Sequence, residues 1–467
     1  MDQTIIKIVS PHTEEPIAEV TAAGPADVDA AVAGARAAVD SGPWPRLEPQ
    51  KRIAAVRRLA EIYGARRDEM AELISAEMGA PISFAHRAQV GLPAMMMGAF
   101  CAVAETYPWQ ETRAGFFGPD LYIRKEPVGV VAAIVPWNMP QFLIVTKLIP
   151  ALLAGCAVVL KPAQQTPLDA LLLAEMLEEV GLPPGVVTVL PGDVSVGAHL
   201  VSHPGVDKVS FTGSTAAGKA VAAACAPNLT KVSLELGGKS AAIVLDDANP
   251  QIVAAGVRSA SLSNSGQICN ALTRILVPMQ RQSEFVDALA AEMTSLVVGD
   301  PADSTTQVGP LVSQRQQQRV RDYIRSGQGD GARLVVGGAE LPEGVEKGWY
   351  VQPTLFCDAD NTIAIAREEI FGPVLTVIAY RDEADAVAIA NDSDYGLAGS
   401  VWTDDIDRGL AVAAQIHTGT FGVNQGYTMD PFAPFGGVKQ SGYGRDLGRE
   451  GLEGYLETKS IAVAVRG

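Results

Sequence analysis

The chain is poor in several groups that catalytic and binding chemistries draw on. Of its 467 residues only five are histidine and five cysteine, and aromatics make up 6%. The histidines read as caps and surface positions, so no catalytic metal is expected. The cysteines (101, 156, 225, 269 and 357) are scattered and odd in number, which suits a reducing cytoplasm rather than a disulfide framework. Positive charge is short: 36 Lys and Arg against 53 Asp and Glu leave a net charge of −17, with no basic run to meet nucleic acid or an anionic membrane. The N-terminal Met1-Asp-Gln-Thr-Ile-Ile-Lys-Ile8 lacks the basic-then-apolar order of a secretion signal. Residues 127–146 carry no charge and are long enough to span a bilayer, but Pro136, Asn138, Pro140 and Gln141 interrupt them.

What is present describes a compact α/β protein. Hydrophobic residues make up 48% and charged residues 19%, and the length calls for two or three domains. Val128–Val135 is short and β-branched, as a buried parallel strand should be. An alternation follows: helix 140–154, strand 157–160, a helix through Asp169 to Val180, strand 186–190, helix 194–203, strand 208–211, helix 215–225 and strand 231–234. Thr166 and Pro167 read as the cap and first turn of the helix that stops at Gly181. This rhythm predicts a doubly wound parallel sheet. Residues 26–40 and 49–77 read as two amphipathic helices. A second alternating unit starts near Ser240, with helices 282–296 and 382–391 and strands 333–336, 374–380 and 400–402.

Two glycine strings compete for a dinucleotide. Gly327-Gln-Gly329-Asp-Gly331-Ala332 follows a helical run rather than a strand, so it reads as a helix end. Gly213-Ser-Thr-Ala-Ala-Gly218 follows a strand and opens a helix, where backbone N–H groups and the helix dipole can meet a phosphate.

The most informative pairing is Cys269, in Asn264-Ser-Gly-Gln-Ile-Cys-Asn270, with Glu235, in Glu235-Leu-Gly-Gly-Lys-Ser240. A thiol approached by Gly266 and Gln267 is a nucleophile candidate whose N–H can hold an oxyanion, and the carboxylate is a base candidate. Beside them stand Pro136-Trp-Asn138, Lys161-Pro-Ala163, Phe211-Thr-Gly-Ser-Thr215, Glu369-Ile-Phe-Gly-Pro373 and Pro434-Phe-Gly-Gly437. In order and spacing these motifs resemble the aldehyde dehydrogenase superfamily over nearly the whole chain.

The resemblance implies a cofactor-binding domain (1–108 and 128–237), a catalytic domain (238–440), and a small β oligomerisation extension with a C-terminal arm (109–127 and 441–467) that pairs copies into a homodimer or homotetramer. Cys269 would attack an aldehyde, Asn138 would help hold the oxyanion, and Glu235 would activate water against the thioester. Lys147 and Asp446 would relay protons, with Asp446 standing where relatives often carry Glu. The cofactor would be NAD, with NADP possible. It would be held by Ile134, Pro136, Trp137, Lys161, Gln164, Gly197, Phe211, Gly213, Ser214, Gly218, Leu236, Gly237, Glu369 and Phe371. Relatives that prefer NAD usually carry Glu where Gln164 stands, and a neutral amide does not repel a 2′-phosphate.

By the same resemblance Met139, Leu143 and Thr146 on the helix after Asn138, with Ile268, Asn270, Met429 and Phe435, would line the aldehyde tunnel. That apolar lining implies a roomy tunnel for a bulky aromatic or terpenoid aldehyde. Small aliphatic, semialdehyde or betaine-type aldehydes are the alternative. Transfer of the acyl group to coenzyme A, or a silent binding relative, fits less well with an intact Glu235, Cys269, Asn138 and Glu369.

Overall fold

The computed structural model describes residues 4–427 and 429–463. Two sheets dominate it. The first has six strands in the order Gly442–Tyr443, Lys231–Glu235, Lys208–Thr212, Val130–Ile134, Ala157–Lys161, Val187–Val189. All pair parallel except the edge strand Gly442–Tyr443. Val130–Ile134 and Ala157–Lys161 are buried at every position, which is why these strands read as apolar runs rather than alternations. The strand order reverses beside Val130–Ile134, and ligands of such sheets bind at the carboxyl ends around a reversal.

The second sheet has seven strands in the order Arg333–Val336, Thr354–Cys357, Val374–Tyr380, Leu272–Pro278, Ser240–Val244, Gly399–Trp402, Gly422–Val423. Only Arg333–Val336 runs antiparallel to its neighbour. Both sheets are therefore wound as expected. A third, antiparallel sheet joins Leu456–Ala462, Gly118–Pro127 and Gln110–Gly115, so that Ile461 faces Tyr122. Ile461-Ala-Val-Ala-Val465 reads in sequence as a strand; the strand ends at Ala462, and Ala464 and Val465 lie outside the described residues.

The C-terminal arm departs from the expected boundaries. Gly442–Tyr443 extends the first sheet, and Gly442 pairs with Glu235. Glycine is required there: a Cβ on Gly442 would lie 2.0 Å from the Leu234 carbonyl oxygen.

Helix Pro140–Ala154 is buried along its whole length and ends at Gly155, whose φ is 96°. An apolar surface all round suits a helix enclosed by protein. The helix Leu168–Val180 begins differently from expectation. Thr166 does not cap it, and the buried hydroxyl has no hydrogen-bond partner. Instead the Glu77 carboxylate accepts from the N–H groups of Leu168 (3.0 Å) and Asp169 (3.1 Å). A carboxylate from a distant helix satisfies two free donors where a local hydroxyl could satisfy one.

The single helix expected over 49–77 is two, Pro49–Ala65 and Arg67–Met78. Arg66, at the break, pairs with Glu69 and Glu175. The sequence reading assigned no element to the hairpin Ile5–Val9/Pro16–Thr21 or to the helical run over 82–106. That run includes a π-helical stretch, Ala85–Gly91, and is long and apolar enough to cross a membrane. Met96, Met97, Phe100 and Cys101 of it lie in the protein core. Gly327 and Gly329 sit in the last turn of helix Gln314–Gly329, confirming that this string is a helix end.

Candidate active site

The site forms where the carboxyl ends of the first sheet meet the loop before Leu272. That loop is strained: Asn264, Ser265 and Gly266 all have left-handed φ values of 53°, 59° and 74°, a run that non-glycine residues adopt only when their surroundings enforce it. The enforcement is visible. Gln267 is buried, accepts from the Val312 N–H at 3.1 Å and donates to the Asn264 carbonyl at 3.2 Å. The Asn138 side chain donates to the Gln267 carbonyl at 2.9 Å, and the Asn138 carbonyl accepts from Gln89 and Asn264, each at 2.8 Å. Asn138 and the turn leading to Cys269 thus hold each other in place.

Cys269 and Glu235 face one narrow cleft. Phe142, Leu143 and Thr146 of helix Pro140–Ala154 form one wall, and Phe435, Asp446 and Leu447 form part of the other. The space between the atoms, open mouth included, is about 310 Å³. Little of that space is enclosed, so the cleft is narrower than the roomy tunnel expected. The two phenylalanines and Leu143 close it in. Met139 is buried in the core cluster, and Phe142 of the same helix lines the cleft, a position the sequence reading did not name. Phe142 lies four residues before Thr146, the helical spacing that would have revealed it. Thr212 and Leu447 were also missed. Thr212 follows Phe211 at the end of a strand, and Leu447 turns back at a φ of 62°. Ile268, Asn270 and Met429 are partly buried around the site, and Asn270 reaches toward the Tyr427 carbonyl at 3.5 Å.

Electrostatics separate the two reacting groups. Burial pushes the Cys269 thiol up to about 12, and the Glu369 and Glu235 carboxylates add to the shift. The N–H groups of Asn270 and Cys269, turned toward the sulfur, oppose it. Glu235 is raised well above the usual carboxylate range, first by burial and then by Asp446, against opposing pulls from Lys147 and Arg445. Both its oxygens are buried without a hydrogen-bond partner. Behind it Lys147 pairs with Asp446 at 2.7 Å, both buried, and the Thr146 hydroxyl donates to the same carboxylate oxygen at 3.3 Å. The shorter Asp446 therefore does reach Lys147.

The residues expected to hold a dinucleotide gather on the same edge. Ile134, Pro136 and Trp137 leave strand Val130–Ile134, and Phe211 and Gly213 leave its neighbour, on either side of the reversal. Ser214 caps helix Thr215–Cys225 through the Ala217 N–H, so that helix opens toward the strand ends. Gly218 must be small: a Cβ there would sit 2.5 Å from Leu236. Lys161 donates to the carbonyls of Pro162 (3.0 Å) and Gly192 (2.7 Å), leaving one N–H for a ligand, and Gly197 lies against its stem. Burial lowers Lys161 to about 8, opposed by Asp193. Gln164 is exposed.

Glu369 takes the Gly238 N–H at 3.2 Å, and its carboxylate lies where a Gly237 side chain would be. Burial raises Glu369 to about 7. Phe371, held at a φ of 64°, meets Trp137 edge to face at 5.3 Å. A carboxylate for a diol, a buried ammonium with a free donor and a helix N-terminus together fit a dinucleotide.

Two histidines bear on the metal expectation. His199, in helix Val194–Ser202, and His203, just past its end, are both near Asp29. His203 Nδ1 accepts the Gly205 N–H at 2.9 Å, so its Nε2 carries the proton and faces Asp29 as a donor.

Comparison with known proteins agrees with this geometry. The aldehyde dehydrogenase family profile matches residues 1–461. Geranial dehydrogenase of Castellaniella defragrans is 47% identical over 454 residues, covering 97% of this chain and 94% of the relative. A 3-succinoylsemialdehyde-pyridine dehydrogenase of Pseudomonas is 44% identical, covering 97% of this chain and 94% of that one. Among solved structures, the NAD+ complex of a Mycobacterium tuberculosis aldehyde dehydrogenase superposes with a TM-score of 0.97 at 47% identity, covering 99% of this chain and 95% of that chain. Aldehyde dehydrogenase C of Pseudomonas syringae, with NAD+ and octanal, gives 0.95 at 43% identity, covering 99% and 94%. A chain with this fold, this thiol and carboxylate in one cleft, and this match over nearly its full length belongs to the aldehyde dehydrogenase family.

Proposed function

We propose that the protein oxidises a hydrophobic aldehyde, aromatic or terpenoid, to its carboxylic acid with NAD as the main oxidant. The observation that carries this reading is the shared cleft: Cys269 opens into an apolar space whose one unpartnered buried carboxylate is Glu235. The thiolate of Cys269 adds to the aldehyde carbon, and the Asn138 amide with nearby N–H groups takes the oxyanion, roughly 3–4 kcal/mol per donor. Lys161, Glu369 and the opening of helix Thr215–Cys225 would hold NAD, which would supply the hydride acceptor. The thioester left on Cys269 is hydrolysed by a water that gives its proton to Glu235.

The substrate class rests on the apolar cleft walls, among them Phe142, Leu143, Phe435 and Leu447. Relatives named for geranial and for a pyridine semialdehyde, and an octanal complex, support an apolar substrate. The strands Gln110–Gly115 and Leu456–Ala462, each with one unpaired edge, support assembly into a homodimer or homotetramer. The division at 237/238 follows the two large sheets, with 441–447 assigned to the site rather than to the arm. A cytoplasmic location accords with five free cysteines.

The test is stopped-flow reduction of NAD with citral, cinnamaldehyde, acetaldehyde and betaine aldehyde. Wild type should give the highest kcat/KM with the first two. Cys269→Ala should show no reduction. Glu235→Gln should give one equivalent of NADH and then stall. Full turnover by Cys269→Ala, or preference for betaine aldehyde, would refute the assignment.

A further inference from the structure

Lysine is seldom fully buried, and a buried ammonium ordinarily has a partner. Lys239 departs from that. It is 2% exposed, and among the described residues its ammonium has no hydrogen-bond partner in the protein. The next residue, Ser240, is buried as well, and its hydroxyl is also unpartnered. A second buried cation stands on the neighbouring strand, where Arg274 is in register with Ala241. Arg274 is well satisfied. It donates to the carbonyls of Lys239 (3.0 Å), Ile389 (2.9 Å) and Ala390 (3.0 Å) and to the Asn361 side chain (2.9 Å). Four oxygens therefore serve the arginine and none serves the lysine.

Lys239, Ser240 and Arg274 line one small cavity at the amino ends of strands Ser240–Val244, Leu272–Pro278 and Gly399–Trp402. Tyr395, Gly396 and Thr418 are among its other walls, and no Asp or Glu lines it among the described residues. The space, open mouth included, is about 260 Å³, and little of it is enclosed. Burial lowers Lys239 to about 7. Arg274 adds to that shift, Glu369 and Glu368 oppose it from outside the cavity, and Arg319 lowers it slightly further. Tyr395 is the remaining titratable group on the cavity wall.

We propose that this cavity binds a small monovalent anion of halide size, held by the Lys239 ammonium and the Ser240 hydroxyl in the field of Arg274. One negative charge supplies both things the site lacks: an acceptor for two buried donors and a counter-charge for two buried cations. A larger oxyanion would need more room than the cavity encloses. The site is separate from the aldehyde cleft. It lies one residue beyond Gly238, whose N–H holds Glu369. Only the ammonium form of Lys239 can hold the anion. Affinity should therefore be level below about pH 7 and fall roughly tenfold per pH unit above it.

The experiment uses the full-length protein prepared in gluconate buffer free of halide. Crystals soaked in sodium bromide near pH 6 should show an anomalous peak within hydrogen-bond reach of Lys239 Nζ. In solution, chloride NMR lines should broaden with wild type near pH 6, and bromide should reverse the broadening by competition. Lys239→Met should lose nearly all of it. Ser240→Ala should weaken chloride binding roughly tenfold, and it carries the test if Lys239→Met does not fold. No bromide peak at Lys239, broadening equal to wild type in the variant that carries the test, or an affinity unchanged between pH 6 and pH 9 would overturn the proposal.

Discussion

Cys269 is a thiol, not a thiolate, in the free protein. Burial and two carboxylates push it up to about 12, so the protonated form prevails near neutral pH. A cationic ring bound beside Glu369 would offset part of that push. Iodoacetamide should therefore alkylate Cys269 slowly at pH 8 and at least tenfold faster with NAD+ present, followed by mass spectrometry; equal rates would show that the cofactor does not tune the thiol. Glu235 is shifted in the same direction. Its carboxyl is held protonated above the ordinary range, and only the carboxylate can take a proton, so hydrolysis should speed up as pH rises through that raised value. Gln164 bears on cofactor choice. It is exposed and neutral, so NADP should support measurable turnover. Gln164→Glu should widen the preference for NAD by about tenfold, through repulsion of the 2′-phosphate. Steady-state kinetics with both cofactors would show this, and no change would leave Gln164 outside the ribose site.

At the scale of elements, the join between helices Arg67–Met78 and Leu168–Val180 holds two buried carboxyls, Glu77 and Asp169. Glu77 accepts two N–H groups there, and Asp169 accepts from Gln141 at 2.6 Å. Both carboxyls are buried without a cation beside them. Burial raises Glu77 well above its ordinary range and Asp169 to about 6. Folded pKa values above the unfolded ones mean that the folded state binds more protons. The associated stability is present at low pH and is lost as pH rises through about 6 and above. Asp169→Asn removes one of the two buried charges and keeps an acceptor for Gln141. It should raise the melting temperature at pH 8 and change it little at pH 5. A lower melting temperature at pH 8 would mean that the acid pair is not a cost to the fold.

For the whole molecule, the third sheet is the feature least explained by the single chain. Its outer strands each leave an edge unpaired, and the turn of the hairpin Gln110–Pro127 carries Phe116 and Phe117, each 94% exposed and stacked edge to face at 5.1 Å. Apolar side chains at the tip of an open-edged sheet are of the kind that subunit contacts cover, which supports the assembly proposed above. Phe116→Asp/Phe117→Asp should shift the protein toward monomer in analytical ultracentrifugation, with its secondary structure unchanged. A sedimentation coefficient equal to that of wild type would place the subunit contact elsewhere.

The order of elements was legible in the chain because local rules decide it. Uncharged β-branched runs, a proline at the start of helix Pro140–Ala154 and glycines at 155 and 181 that accept positive φ are properties of short stretches. The reactive pair, Cys269 with Glu235, was legible for a similar reason: its motif neighbours are contiguous. What the chain order concealed depends on partners far away in sequence. Glu77 rather than Thr166 supplies the helix cap, because a carboxylate 91 residues upstream reaches the free N–H groups. Arm residues 442–447 belong to the site, because Gly442 pairs with Glu235 and Asp446 reaches Lys147. Phe142 lines the cleft, since the packing of a wholly buried helix, not its own periodicity, decides which side meets the cleft. The polar face on strands 208–212 and 231–235 follows the same logic. Each strand alone shows only alternation, and register between the two sets their polar residues side by side on one face.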